Sequence, residues 1–404
     1  MVTRAENEAM AFVGAGTQGG ELLRRYWHPV AVAGELTEDK PIRQVTILGE
    51  KLVVFRLPLK PGERESDVRY GLVAERCRHR LASLSFGRVD EDGIRCVYHG
   101  WKYALDGRCI EQPAEPAGSQ YKNEIQQPAY VVRKLAGLLF AYMGPAPAPI
   151  LPRWDVLARE DGRRWTVIES VMECNWLQPT ENSVDPAHVF WLHGALTPPD
   201  VLKVAAPQIT TQYDEKHDFI EFEYGIIKER TTPGRAPSDP PFVARHPLIF
   251  PTTLRLAEVD YGHAESAGSF RHSLQIRVPI DDTHTRVYRV YFVPSRTFRS
   301  PNDIDPPFEY CALKGPDGYD LTVLTAQDAM AWESQGGVTD RTLEHLGVSD
   351  MGIVMLRKML RSQAKIVKNG GDPIGIKRLP SEDIVIAFDV FNERIGLYSE
   401  MNSD

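Results

Sequence analysis

Two short segments of this 404-residue chain each pair one cysteine with one histidine: Cys77-Arg78-His79 and Cys96-Val97-Tyr98-His99. The spacing is C-x-H-x16-C-x2-H, in a chain with only five cysteines and 11 histidines. Two thiolates and two imidazoles suit a [2Fe–2S] cluster whose one iron is held by the cysteines and the other by the histidines. Zinc also accepts two Cys and two His. Zinc-finger spacing, however, groups like ligands, C-x2-4-C with H-x3-5-H. Here each hook mixes the two types, which lets two hooks grip two irons.

A cluster of that kind is a Rieske centre. Gly100 and Trp101 follow the second hook. Glycine permits a tight loop near the cluster, and Trp101 can shield one side from water. No serine stands at the Trp101 position, so one possible hydroxyl donor to a cluster sulfur is missing. Fewer donors stabilise the reduced cluster less, and the potential is expected near the low end of the Rieske range, around −150 mV.

A second constellation follows at Asp185-x2-His188-x4-His193. Residues three apart share a helix face, which places Asp185 beside His188. The two histidines are about 140° apart on a regular helix. They converge only where the helix ends or bulges, a common device at functional sites. Two histidines and a carboxylate form the facial triad of non-haem Fe(II) oxygenases. A zinc hydrolase or a pair of hydrogen-bonded core histidines would also fit these residues alone. An electron carrier in the same chain favours a redox iron. For the third ligand Asp328 is chosen, a carboxylate in the largely apolar run Leu321–Trp332, costly there unless paired or bound to metal. Asp320, Glu333, Asp340 and Asp350 compete, and are more simply read as exposed or capping charges.

The elements that must hold these groups read as α+β. From Val30 to Met143 the chain has many short strand-like runs with Gly/Asp turns, including a hairpin Val45–Leu48/Lys51–Arg56 turning at Gly49-Glu50. That predicts an N-terminal antiparallel β domain over 28–150, preceded by a helical segment 1–27 with a short helix ending near Tyr26. The proline-rich stretch Gly144–Pro149 is the linker. Residues 151–404 are expected to form an antiparallel sheet flanked by helices. Its strands are Phe219–Tyr224, Phe270–Val278 and Thr285–Val293. Its helices are Leu321–Ser334 and Asp350–Lys368, the latter capped by Ser349, and a tail runs from Ile374 to Tyr398.

Bulk properties narrow the function. The net charge of −8 and the absence of a Lys/Arg run give no sign of a nucleic-acid partner. There is no signal-peptide pattern at the N-terminus and no apolar run of membrane-spanning length. Two cysteines are assigned to iron; Cys109, Cys174 and Cys311 are expected as buried thiols in a reducing cytoplasm.

Together these residues resemble the catalytic α subunit of Rieske non-haem iron ring-hydroxylating oxygenases, and most closely the phthalate-dioxygenase-like branch. The resemblance rests on the two hooks, on Asn175-Trp176-Leu177-Gln178 with Glu181-Asn182 and Val184-Asp185-Pro186, on the helix around Asp328, and on Trp332–Gly336, Asp340–Thr342 and Glu344–Gly347. One departure is Leu81, where many relatives carry glycine. The resemblance implies that Cys77 and Cys96 hold the buried iron, His79 and His99 the outer one, and His188, His193 and Asp328 a mononuclear Fe(II). It implies that Asp185 bridges a Rieske histidine of a neighbouring subunit to His188, so that electrons cross an interface in a homotrimer or a multiple of trimers. Asn182 would lie near the mononuclear iron. A separate flavin/iron–sulfur reductase using NAD(P)H, with or without a ferredoxin, would supply electrons.

The implied reaction is oxidation of an aromatic carboxylate or related compound with O2 by dihydroxylation. The alternatives are O- or N-dealkylation, or diaryl-ether cleavage, by the same iron. A non-enzymatic electron carrier is disfavoured by chain length and by the second site. A carboxylate substrate needs a cation, and Lys228, Arg230 and Arg245 are the candidates, with Phe190, Phe250 and Leu254 as apolar lining.

Overall fold

The computed structural model describes residues 2–198, 216–232, 242–259 and 270–387. The N-terminal β region has two antiparallel sheets. Six strands lie in the spatial order Trp27–Val32, Leu138–Tyr142, Ala129–Leu135, Tyr70–Ala74, Glu50–Arg56 and Ile42–Ile47. Four shorter strands, Arg88–Asp90, Gly93–Arg95, Lys102–Tyr103 and Cys109–Glu111, form the second. Side chains alternate across a strand. Val53, Phe55 and Val73 thereby meet Ile94, Trp101 and Tyr103 in a small core that also encloses Cys77 and Cys96. The hairpin turns at Leu48-Gly49, one residue earlier than expected, both with positive φ. Glu50 is drawn into the strand instead, where its carboxylate meets Arg24 and accepts from the Tyr130 hydroxyl at 2.6 Å.

The second region is built on an eight-stranded sheet. The spatial order is Lys216–Phe222, Gly225–Thr232, Phe242–Ile249, Thr253–Val259, Phe270–Pro279, Thr285–Pro294, Gly162–Glu169 and Phe308–Cys311. Every pair is antiparallel except the last. Five of these strands, Gly162–Glu169, Gly225–Thr232, Phe242–Ile249, Thr253–Val259 and Phe308–Cys311, escape a reading of apolar alternation. Both faces of the sheet are covered and carry buried polar residues, which erases the period-2 signal. One face packs Leu274, Ile276, Val278, Val290 and Phe292 into a core shared with Val30, Leu138 and Phe140 of the N-terminal region. The opposite face looks onto the helices: Val287 packs with Ala329 and Trp332 of the helix Leu324–Ser334.

The sequence division into 1–27, 28–150 and 151–404 follows the chain but not the packing. Helices Arg4–Ala11 and Gln18–Leu23 contribute Met10, Leu22 and Leu23 to the shared core. The Ala11 carbonyl accepts from Trp176 Nε1 at 3.0 Å and from Asn175 Nδ2 at 2.9 Å. The N-terminal segment is thus clasped to the strand-to-helix segment that leads to His188. At the helix Met351–Lys368 the N-cap position is Asp350 rather than Ser349, and the Asp350 side chain makes no capping bond to the helix, accepting from Gly347 N instead. It lies so close to Val184 that a Cβ on Gly352 would come within 2.3 Å of the Val184 carbonyl oxygen. No described helix is long and apolar enough to cross a membrane. The part of the expected tail beyond residue 387 lies outside the described residues.

Candidate functional site

The two hooks are copies of one local device. In the first, Leu81 N donates to Cys77 O (2.9 Å) and Cys77 N donates to Ala82 O (2.9 Å). In the second, Gly100 N donates to Cys96 O (3.0 Å) and Cys96 N to Trp101 O (2.9 Å). Leu81 and Gly100 occupy the same position, and both are left-handed, at φ 62° and 76°. Glycine is the unstrained residue there. Leu81 carries a cost on the order of 1–2 kcal/mol, and its side chain is 60% exposed. Gln127 locks the first hook from behind: its amide donates to the Ala74 and Arg76 carbonyls and its oxygen accepts from Arg78 N.

The donor set fits a Rieske cluster. Cys77 and Cys96 are buried at the base, both as free thiols. At the tips, the His79 and His99 rings lie 4.5 Å apart, and His79 Nδ1 is buried without a hydrogen-bond partner. Trp101 stacks flat on His79 at 4.4 Å and 9°, covering that ring as expected. One feature escaped sequence reading. The Tyr103 hydroxyl lies 3.1 Å from Cys77 Sγ and can donate to the thiolate. A single such bond is worth about 1 kcal/mol, or about 40 mV for a one-electron couple. It offsets part of the low potential expected from the missing serine. Tyr103→Phe should lower the cluster midpoint by about that amount; an unchanged midpoint in a redox titration would remove Tyr103 from the account.

The second centre forms as the spacing required. The segment after Asp185 is helical, and Val189–Gly194 is a π-helical turn. Such a turn bonds i to i+5 and brings residues five apart onto one face. His188 and His193 therefore converge, with ring centroids 5.4 Å apart at 80°. Asp328, in the helix Leu324–Ser334, joins them: one ligand atom from each of His188, His193 and Asp328 lies within 4.8 Å of the others. His193 Nε2 is 3.2 Å from Asp328 Oδ1, yet that buried oxygen has no hydrogen bond. Two imidazoles and an unsatisfied carboxylate, all inward-facing, fit a mononuclear non-haem iron. The competing acids are engaged elsewhere. Glu333 pairs with Lys314, Asp320 and Asp340 hold Thr322 and Thr342, and Asp350 accepts from Gly347 N.

Supporting residues orient the ligands. Gln327 donates through Nε2 to Thr197 Oγ1 and the Leu321 carbonyl, so its Oε1 must accept from His193 Nδ1 at 2.8 Å. That fixes the tautomer with Nε2 free for metal. Asp185 Oδ2 lies 3.5 Å from His188 Nδ1, and Oδ1 accepts from Ala187 N at 2.8 Å. Burial would raise the Asp185 pKa, but His188, Lys228 and the Ala187 amide hold it below the usual value. Glu181 is buried between Arg341 and Arg357, and Arg357 continues to Glu344. This network ties the segment before Asp185 to the C-terminal helix. A cavity of about 640 Å³ opens beside Asp185 and His188, lined in part by Asn182, Trp191, Glu344 and Leu346.

The candidate substrate residues divide. Cross-strand partners share a face. Lys228 pairs with His246 and Arg230 with Ala244. Lys228 is buried, and its Nζ donates to the Asp185 carbonyl at 3.3 Å. Burial, with Arg230 and Arg277 adding, lowers its pKa to about 8. Arg245 lies on the opposite face beside Glu229 (2.6 Å), away from Asp185. Phe250 is likewise misplaced as a lining residue, since it packs in the main core edge-on to Tyr26. Phe190 lies within the π-helical turn against Trp191. Leu254 is buried but belongs to none of the three hydrophobic cores. Arg277, on the same face as Val287, was missed because the face a strand arginine takes depends on register, which the sequence alone does not give.

Residues 26–130 match the family model of the Rieske [2Fe-2S] domain, and residues 311–394 match the model "LigXa C-terminal domain like". The chain is 36% identical over 395 residues to the 5,5'-dehydrodivanillate O-demethylase oxygenase subunit of Sphingobium sp., covering 94% of this chain and 85% of that one. It is also 36% identical to the phenoxybenzoate dioxygenase subunit alpha of Ectopseudomonas oleovorans, covering 91% and 87%. A solved complex of the carbazole 1,9a-dioxygenase oxygenase with its ferredoxin shares the fold, at 18% identity and a TM-score of 0.60, covering 88% and 93%.

Proposed function

This chain belongs to the Rieske non-haem iron oxygenases as a catalytic α subunit, and from that premise we propose that it oxidises an aromatic carboxylate with O2 by ring dihydroxylation. A Rieske [2Fe–2S] cluster and a mononuclear non-haem iron are its cofactors. We assign the cluster to Cys77, His79, Cys96 and His99, and the mononuclear iron to His188, His193 and Asp328. The observation that carries the reading is the meeting of those last three with the buried cation Lys228 at Asp185. When bound, the cluster supplies electrons singly and the iron activates O2.

The chain's own residues supply position and exclusion. Trp101 covers His79 against water. Gln327 holds Nδ1 of His193 by a hydrogen bond, leaving Nε2 for metal, and Asp185 Oδ2 faces His188 Nδ1 at 3.5 Å, placed to accept from it. Asp185 is also proposed as the hydrogen-bond bridge to a hook histidine of a second copy. Among the described residues no hydrogen bond, ion pair or ring contact joins the hooks to 182–193. The exposed tips Leu81, Val97 and Tyr98, with Arg80 over the Tyr98 ring, suit the cavity edged by exposed Trp191 and by Leu346 and Glu344. That complementarity supports a homotrimer, or a multiple of it, with residues 28–150 as the electron-entry domain and 151–404 as the catalytic one.

A separate protein delivers the electrons. We propose a flavin/iron–sulfur reductase using NAD(P)H, with or without a ferredoxin, and a cytoplasmic location, where the three cysteines outside the cluster, buried Cys109 and Cys174 and half-buried Cys311, would stay reduced. A second reading has one observation in its favour. The two relatives at 36% identity are named for O-demethylation and for a phenoxybenzoate. Incubation of the protein with a reductase, isotopically labelled O2 and a panel of benzoates and methoxybenzoates separates the two. Dihydroxylation gives a diol carrying both labelled atoms. O-demethylation gives formaldehyde and a phenol. Faster turnover of neutral arenes than of the acids would contradict the substrate class.

A further inference from the structure

Six buried arginines of this protein each rest against a carboxylate, and Arg164, equally buried, is held instead by the backbone carbonyls of Val156 and Arg159. Arg24 meets Glu50, Arg56 meets Glu65, Arg255 meets Asp155, Arg289 meets Glu169, and Arg341 and Arg357 both meet Glu181. Arg277 is buried as deeply, at 1% exposure, and has no carboxylate within ion-pairing distance among the described residues. Its two Nη atoms donate only to Gln275, to the backbone oxygen at 3.3 Å and to Oε1 at 3.2 Å. Both acceptors are neutral, and Arg277 Nε is buried with no hydrogen-bond partner among the described residues. Burial, with the charge of Arg289, pulls the pKa down to about 9, opposed by Glu169 and Asp328. A cation in this setting is costly unless an anion joins it.

Its place in the fold says which anion. Arg277 pairs across the sheet with Val287, which packs against Ala329 and Trp332, the neighbours of Asp328 on its helix. The charges of Asp328 and Lys228 both reach it. Next along the strand, Gln275 pairs with Leu254, the buried apolar residue that joins no core. An unpaired planar cation, an apolar surface and the metal triad therefore share one side of the sheet. Lys228 adds positive charge to the same site, with one of its three donors given to the Asp185 carbonyl. A guanidinium edge matches the two oxygens of a carboxylate in one plane, as an ammonium does not.

We propose that Arg277 is the anchor for the substrate's carboxylate, presenting Nε and one Nη to its two oxygens while the ring lies along Leu254 toward His188, His193 and Asp328. This rests on the reading of the protein as an oxygenase of aromatic acids and names the residue that selects them.

Calorimetric titration of the holoprotein with benzoate, 4-methoxybenzoate and 4-phenoxybenzoate, each beside its neutral amide, tests the assignment. The wild type should prefer the acids. Arg277→Gln should weaken acid binding by about 10- to 100-fold and leave the amides unchanged, with Arg277→Lys between. The melting temperature of unliganded Arg277→Gln should equal or exceed that of the wild type, because a buried unpaired charge has gone. A lower melting temperature together with loss of both acids and amides would make Arg277 a structural residue and overturn the proposal. An acid preference that survives in Arg277→Gln would overturn the anchor while leaving the substrate class standing. No acid preference in the wild type would overturn the substrate class and the anchor with it.

Discussion

Asp328→Ala is expected to abolish bound mononuclear iron while leaving the visible spectrum of the Rieske cluster unchanged. The two centres are separated in the fold. The hooks sit in a small core of their own, with Trp101 and Tyr103. Asp328 lies in the helix Leu324–Ser334, on the far side of the eight-stranded sheet from the N-terminal strands. Two histidines alone leave a mononuclear site without its anionic ligand, and His188 is already partly exposed. Alanine also removes a buried carboxylate oxygen that has no hydrogen bond in the folded chain, so loss of the fold is not expected to accompany loss of the metal. Iron and acid-labile sulfide are measured on the purified variant beside its spectrum. Sulfide at the wild-type level with iron reduced to that of the cluster is the predicted outcome. Full iron loading would remove Asp328 from the ligand set.

Asp185→Asn should retain both metal centres and lower turnover by about 10- to 100-fold. Asparagine preserves the size of the side chain, and its oxygen can still accept from Ala187 N as Asp185 Oδ1 does. What changes is the other end. Asp185 Oδ2 faces His188 Nδ1 at 3.5 Å; with His188 Nε2 given to iron, Nδ1 carries a proton and needs an acceptor. An amide NH2 there would set donor against donor. The negative charge that also holds Lys228 and would receive a hook histidine is lost as well. Reoxidation of the reduced cluster, followed by stopped flow with substrate and O2, should slow by the same factor as turnover. Near-wild-type turnover would take Asp185 out of the electron route.

Much of the site was legible because its chemistry is local. Cys77/His79 and Cys96/His99 each lie within four residues of chain, and the Asp185–His188–His193 spacing required the helix either to end or to bulge, of which the π-helical turn is the second. Asp328 stood out as a carboxylate in an apolar run. The expectation of glycine at position 81 also has a physical basis, since Leu81 takes the left-handed conformation of Gly100 in the matching hook. The groups that escaped act at long range. Tyr103 meets Cys77 across two strands, Gln127 reaches the first hook from 49 residues away, and Arg341 and Arg357 find Glu181 only through the folded chain. Arg245 and Arg277 show the limit most clearly. Whether a strand arginine faces a metal site or the opposite side depends on register, and a single-residue shift reverses it. The strands Phe242–Ile249 and Thr253–Val259 were unreadable for a related reason, because polar residues interrupt the apolar alternation: Arg245 and His246 are adjacent in the first, and Arg255 is buried in the second.

The central claim is that one chain carries both an electron-entry cluster and an oxygen-activating iron. The most direct test is iron and acid-labile sulfide analysis of the protein purified under reducing, iron-replete conditions, with an EPR spectrum after reduction by dithionite. The account predicts one [2Fe–2S] cluster and one further iron per chain, with the signal of a reduced Rieske centre. Zinc in place of iron, with no labile sulfide, would contradict it.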